Sequence, residues 1–163
     1  MGCGKRTGHH TSGCVCDVVR AILDIQENVH DDCGCGSNCF MEPLGSIRPH
    51  MKDRVNTRVF VLKNADGSPF HAFFKGCGDA CVSIYFRVEE VFDNCCATLR
   101  VLKPLGHERH PVDLTGDKKD KCCIDLNKVC KVEDFEATND CVTVDLSCFC
   151  AIQCIEDVNI DLC

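Results

Sequence analysis

Between residues 14 and 31 the apolar positions Val15, Val18, Ile22, Ile25 and Val29 recur at spacings of three and four, and Val19 and Leu23 widen the stripe. Asp17, Arg20, Asp24, Glu27 and Asn28 fall largely on the other side. Side chains three and four apart share one face of a helix, so the spacing predicts an amphipathic helix over 14–31. Ser12 is placed to cap its start. Asp31-Asp32-Cys33-Gly34-Cys35-Gly36 ends it, with glycines suited to left-handed backbone. Such a stripe packs on a sheet, or, as the alternative, on a partner subunit.

From 57 to 105 the period shortens to two. Residues 58–63 predict a strand, 64–67 a turn and 68–74 a returning strand, a hairpin by its turn chemistry. After a turn at 76–79, residues 82–92 predict a long strand. Asp93-Asn94 turns it into a strand over 95–102, which Pro104 ends. Residues 103–121, with Pro104, Gly106, Pro111, Gly116 and mixed charges, predict a solvated surface loop. Short strands are expected at 122–126 and 129–132. Over 141–154 Val142, Val144 and Leu146 alternate with Thr143, Asp145 and Ser147, a last strong strand. Residues 33–56 read as a loop region. The expected fold is therefore mainly β, an antiparallel sandwich-like single domain over 14–156 with the N-terminal helix 14–31. A flexible tail of 1–13 precedes it, and a tail of 157–163 ending on Cys163 follows.

Composition fits one folded domain. The chain has 163 residues, 45% hydrophobic and 26% charged, which is globular and not disordered. A net charge of -7 argues against a general nucleic-acid binder, which needs a basic surface. No apolar run approaches the roughly 18 residues of a membrane span. Residues 1–10 contain no apolar stretch of the secretory-signal type, so no signal peptide is expected.

The cysteines change the picture. There are 18, about 11% of the chain and above the level that marks a disulfide scaffold. A chain expected to be made in a reducing cytosol should not form disulfides there. Three explanations remain open: bound metal, ordinary buried thiols, or oxidation after a later change of compartment.

The spacing Cys-x-Cys-x-x-x-Cys occurs twice, at Cys33, Cys35, Cys39 and at Cys148, Cys150, Cys154. In an extended strand the second set would line one side as a row of thiols. Cys95-Cys96 and Cys122-Cys123 are adjacent pairs whose members face opposite sides of a strand, so each member finds a different partner. Cys3 lies in the expected tail. His30 with Cys33, Cys35 and Cys39 is the best local set for zinc, and a zinc- or copper-binding module is the alternative to a cross-linked structural protein. No Cys-x-x-Cys occurs. Cys14-x-Cys16 behind His9 and His10 is a nonspecific set. The chain lacks the Gly-x-Ser-x-Gly, P-loop, His-Glu-x-x-His and dinucleotide-binding patterns. Arg87 with Glu89 reads as a surface ion pair, and His71 as a packed or half-exposed strand residue.

Residues 142–154, Val-Thr-Val-Asp-Leu-Ser-Cys-Phe-Cys-Ala-Ile-Gln-Cys, strongly resemble the C-terminal signature of the CotY/CotZ/ExsY family of Bacillus spore coat and exosporium proteins. Phe86-Arg-Val-Glu89 with Cys96-Ala-Thr-Leu99 resembles the family's central part, and residues 3–19 its opening, so the similarity runs along nearly the whole chain. The resemblance implies a morphogenetic structural protein of the outer spore layers, synthesised in the mother-cell cytoplasm and deposited on the spore surface. It implies self-assembly into two-dimensional hexagonal sheets, built from homo-oligomeric, hexameric rings and stabilised by disulfides. Other coat or exosporium proteins are the further partners; nucleic acid and a membrane span are not expected. It implies no catalytic residue, and no cofactor is expected. A cross-linking role carries over to Cys148, Cys150 and Cys154, and to Cys14, Cys16, Cys95 and Cys96. Cys3, Cys33, Cys35 and Cys39 are further cross-linking candidates, and by position alone so are Cys77, Cys81, Cys122, Cys123 and Cys163.

Overall fold

Val15, Cys16, Val18, Val19 and Ile22 are the buried face of a helix, α1, Cys14–Glu27. This computed structural model describes residues 13–27, 44, 55–76, 80–116 and 123–162. Asp17 N–H donates to the Gly13 carbonyl at 3.1 Å, the first bond of the helix. The expected cap Ser12, the last residues of the 14–31 stretch, the 1–12 part of the tail and most of 33–56 lie outside the described residues.

Among the described residues seven strands follow: β1 Thr57–Lys63, β2 Ala72–Phe73, β3 Val82–Ser83, β4 Phe86–Val91, β5 Cys96–Leu105, β6 Asp134–Asp145 and β7 Ala151–Val158. A single helical turn, α2, spans Leu126–Val129. Five strands form one antiparallel sheet in the order β6-β5-β4-β1-β7, and β2 pairs with β3 in a small second sheet. The fold is mainly antiparallel β with one main N-terminal helix.

Period-two alternation builds two cores. Phe60, Leu62, Phe86, Val88, Ala97, Leu99 and Val101 join α1 on one face. Val59, Val61, Ile84, Tyr85, Leu102, Leu114, Phe135 and Ile160 form the other. β1 is buried along nearly its whole length, as a strand covered on both faces must be. Arg58 lies in it with no exposed side-chain surface, paired with the equally buried Asp157 of β7.

Several expected elements differ in the structure. The long strand over 82–92 breaks at Ile84-Tyr85, because 82–83 pair with β2 while 86–91 pair with β5. Pro104 does not end β5, which runs on to Leu105. Its ring nitrogen faces away from β6, toward residue 112, whose N–H donates to the Pro104 carbonyl at 2.9 Å; a proline is tolerated where the ladder needs no donor. The 103–121 stretch is not simply a solvated loop, since Leu114 is fully buried. Among the described residues no strand forms at 122–126 or 129–132; instead 126–129 are helical, with the Asp125 carboxylate accepting from Asn127 N–H. The C-terminal tail is not free from 157 on: Asp157 and Val158 belong to β7, and Ile160 N–H and C=O bond the Asn56 side chain at 3.0 and 2.8 Å.

β6 and β7 follow one another in the chain yet occupy opposite edges of the sheet. The link 146–150 therefore crosses a sheet face, and Leu146 and Phe149 are buried in the α1-side core. Phe149 meets Phe70 edge-on at 5.1 Å, and Phe70 stacks on Phe86 at 5.5 Å.

Candidate functional site

The cysteines divide by burial. Cys16 and Cys95, 79 residues apart, form an intrachain disulfide with a Cα–Cα distance of 5.7 Å. Cys16 lies on the buried face of α1 and is 0% exposed; Cys95 is 9% exposed. Cys14 is two residues earlier, a rotation of about 200° around a helix of 3.6 residues per turn. Its thiol is exposed and free as a result.

Cys95 sits in the turn from β4 to β5. Cys95 N–H donates to the Phe92 carbonyl at 3.0 Å and Phe92 N–H to the Cys96 carbonyl at 2.8 Å. The turn puts Cys95 at a φ of 63°, the left-handed region that side chains other than glycine rarely adopt. Arg20 of α1 donates to the Phe92 and Asp93 carbonyls, both at 3.1 Å. Further along α1, the Gln26 amide donates to Val88 O and accepts from Arg58 N–H. Thus α1 is fixed to the sheet at three points along its length, covalently at the first.

Cys96 follows Cys95 but pairs in the ladder with Asp145 of β6, on the face away from α1, and is a half-buried free thiol. The adjacent pair thus faces two ways, as strand geometry requires. Asp145 accepts from Ser147 N–H at 2.9 Å and Ser147 Oγ at 2.5 Å. These bonds, with one from Cys148, hold its carboxyl below the usual carboxylate range against slight desolvation. The Asp145 cap ends β6 and curls 146–148 into a 3-10 turn. The expected single strand over 141–154 does not exist, and Cys148, Cys150 and Cys154 form no row. Cys148 lies in the turn, exposed and free. Cys150 is exposed just before β7, its N–H bonded to Lys63 O. Cys154 lies in β7 opposite Phe60 and is disulfide-bonded. Leu146 N–H donates to Cys95 O at 3.0 Å, which ties the Cys148 turn to the Cys16–Cys95 bond.

Three further exposed free thiols are Cys81, Cys130 and Cys141. Cys141 was legible: it extends the Thr143, Asp145 alternation of the polar face. Cys130 lines a cleft of about 610 Å³ with His107, His110, Asp113, Lys128 and Glu133. It lies close to Tyr85, whose hydroxyl is pushed up to about 12 by burial and, secondarily, by this thiol. Arg87 and Glu89 do pair, at 3.2 Å, but Glu89 also accepts from Arg100 at 2.6 Å, so the pair belongs to a partly buried network. His71 is exposed and meets Phe73 edge-on. Among the described residues no group of three or more His, Cys, Asp or Glu side chains could hold a metal ion. Cys3, Cys77, Cys122, Cys163 and the set His30, Cys33, Cys35, Cys39 lie outside the described residues.

A family model described as spore coat protein Z matches residues 1–157. The chain belongs to the spore coat protein Z family. Spore coat protein Z of Bacillus subtilis (strain 168) is 36% identical over 151 residues, covering 89% of this chain and 90% of that protein. No solved structure matches. Membership places the chain among the structural proteins of the spore coat. Among the described residues, no helix is long and apolar enough to cross a membrane.

Proposed function

We propose that this chain is a structural protein of the outer spore layers, coat or exosporium, that self-assembles into a two-dimensional hexagonal lattice locked by intermolecular disulfides. Its partners are copies of itself, in hexameric rings that tile, and other coat or exosporium proteins. It has no catalytic role. The chain is made in the mother-cell cytoplasm and deposited on the spore surface, where oxidation follows assembly.

The observation that carries this reading is the display of Cys14, Cys81, Cys130, Cys141 and Cys148 as exposed free thiols on a folded domain. A domain that must stay monomeric avoids exposed free cysteine. Here the buried Cys16–Cys95 bond serves the protomer, and the exposed thiols are left for bonds between protomers. Symmetric contacts repeat and tile; disulfides then lock what packing has arranged.

The test is negative-stain electron microscopy of the recombinant protein with and without reductant. Ordered sheets under both conditions, resisting boiling only when oxidised, are the expected result. Dispersed protomers under both conditions would overturn the reading and move attention to stoichiometric metal in the reduced protein, the zinc- or copper-binding alternative.

A further inference from the structure

We propose that the outer edge of β6 over residues 141–145 is an interface between copies of this chain. There it pairs antiparallel with the same segment of a second copy, about a two-fold axis at Thr143, and joins two sheets into one. The inference rests on the assembly reading above and gives that assembly a backbone contact that needs no disulfide.

β6 is the longer of the two edge strands, and among the described residues it has a strand neighbour on one side only. An edge strand presents a row of unpaired backbone groups, which folded proteins blunt with lysine, proline or a bulge. β6 contains neither lysine nor proline. Its bulge lies opposite the step from Arg100 to Leu102 and leaves 141–145 in regular register. Before 141 the strand meets its own needs locally. Phe135 N–H donates to the Asp134 carboxylate at 2.8 Å, Asp140 N–H to Thr138 Oγ1 at 3.2 Å, and the Asp140 carboxylate accepts from Lys75 N–H at 2.7 Å. Over 141–145 the ladder sets the direction of the backbone groups. Leu146 N–H bonds Cys95 O, and Asp145 is opposite Cys96. Bonded and non-bonded positions alternate along an antiparallel pair. Val142 and Val144 therefore turn N–H and C=O toward β5, while Cys141, Thr143 and Asp145 turn theirs out of the sheet.

The segment is complementary to itself. With Thr143 opposite Thr143 of the second copy, Cys141 lies opposite Asp145, and every outward residue falls at a bonded position, exchanging two bonds with its partner. A register moved by two residues sets one end of the segment against the bulge or against the 3-10 turn at Leu146–Cys148, and leaves outward groups unpaired. Val142 meets Val144 of the other copy on the α1 side, where both already pack on the core. A Thr–Thr pair, itself favourable across strands, lies on the other face. No like charges are opposed. The two Asp145 carboxylates stand about 13 Å apart along the strands, beyond the Debye length of about 10 Å at 0.1 M salt. A two-fold contact closes on two copies and so links rings into a layer. Pairing β6 with β7 of a neighbour is head-to-tail and would prolong one sheet into a fibre, so β6 of a second copy is the occupant that suits a layer.

The experiment assembles the full-length chain under reductant and reads hydrogen–deuterium exchange residue by residue in the ordered sheets. The amides of Cys141, Thr143 and Asp145 should exchange as slowly as those of Val142 and Val144; in an unpaired edge they exchange much faster than these. Two variants at the exposed Thr143 run alongside, Thr143→Lys and Thr143→Glu. Each sets like charges face to face on the axis, which destabilises a cross-strand pair. Each alone should lose the ordered sheets seen by negative-stain electron microscopy. An equal mixture should regain them, because lysine then meets glutamate. Ordered sheets whose outward amides still exchange fast, variants that each assemble as the unsubstituted chain does, or folded variants whose mixture regains nothing would overturn the β6 pairing and leave the assembly reading standing. Absence of ordered sheets from the unsubstituted chain would overturn both. Exchange in the unsubstituted chain decides the matter even if a variant folds poorly.

Discussion

Arg58 and Asp157 meet through two parallel bonds, Nε to Oδ1 at 2.7 Å and Nη2 to Oδ2 at 2.8 Å, with no exposed side-chain surface on either partner. The pair joins β1 to β7 across a ladder that already holds both strands. Removing one partner leaves a buried charge uncompensated, so Asp157→Ala should cost about 3–5 kcal/mol of stability. The double change Arg58→Met with Asp157→Leu should cost much less. Urea unfolding of the three proteins checks this; equal losses for the single and double variants would show that the pair's charge is not what matters.

Cys16 and Cys95 close a long loop. A disulfide of this span stabilises by about 2–4 kcal/mol in the loop-entropy view. Oxidised Cys16→Ala/Cys95→Ala protein should lose about that much while retaining its strands, as read by denaturant unfolding and far-UV circular dichroism. An unchanged unfolding midpoint would mean that packing and the Arg20 and Gln26 bonds alone hold α1.

Tyr85 is the single tyrosine of the chain, so its ionisation can be followed without interference from another. Its hydroxyl is pushed from 10.0 up to about 12, first by burial and then by Cys130. The folded state therefore holds this proton where the unfolded chain releases it. The associated stability is complete below pH 10.0 and is lost as the pH rises toward about 12. Absorbance near the tyrosinate band should titrate late in folded protein, and Cys130→Ser should bring the midpoint down slightly. A midpoint at the ordinary value would contradict the burial.

Asp145 has its carboxyl held below 3.8, chiefly by the Ser147 side chain and backbone. The sign is opposite to that of Tyr85: the capping contribution is present above 3.8 and is lost as the pH falls through the lowered folded value. Ser147→Ala should move the Asp145 titration back toward 3.8, as read from the pH dependence of the residue 147 amide resonance. The same variant should loosen the turn that carries Cys148.

The helix and the paired strands were legible because each is written in local periodicity. The stripe through Val15, Val18 and Ile22 fixes α1, and alternation fixes β1, β4 and β5. What was not legible depends on partners far along the chain. Nothing local distinguishes Ile84-Tyr85 as the point where one strand leaves the small sheet for the large one. The choice of Cys95 for Cys16, among 18 cysteines, is equally non-local. The misreading of 141–154 is different, because a local signal was present. Asp66-x-Ser68, Asp113-x-Thr115 and Asp145-x-Ser147 each place a carboxylate over the N–H two residues on, a turn chemistry that competes with extended backbone. Reading that motif would have ended β6 at Asp145 and broken the expected thiol row.

The two-edged path of β6 and β7 also sets when this protein can begin to work. β1 emerges early in synthesis, yet its buried Arg58 waits for a carboxylate 99 residues later. Until the 146–150 link has crossed the sheet face and β7 has been made, the sheet lacks an edge and β1 lacks one of its two neighbours. Contacts between such distant segments form late and slowly. A chain that still lacks β7 therefore has neither its buried ion pair nor a finished sheet.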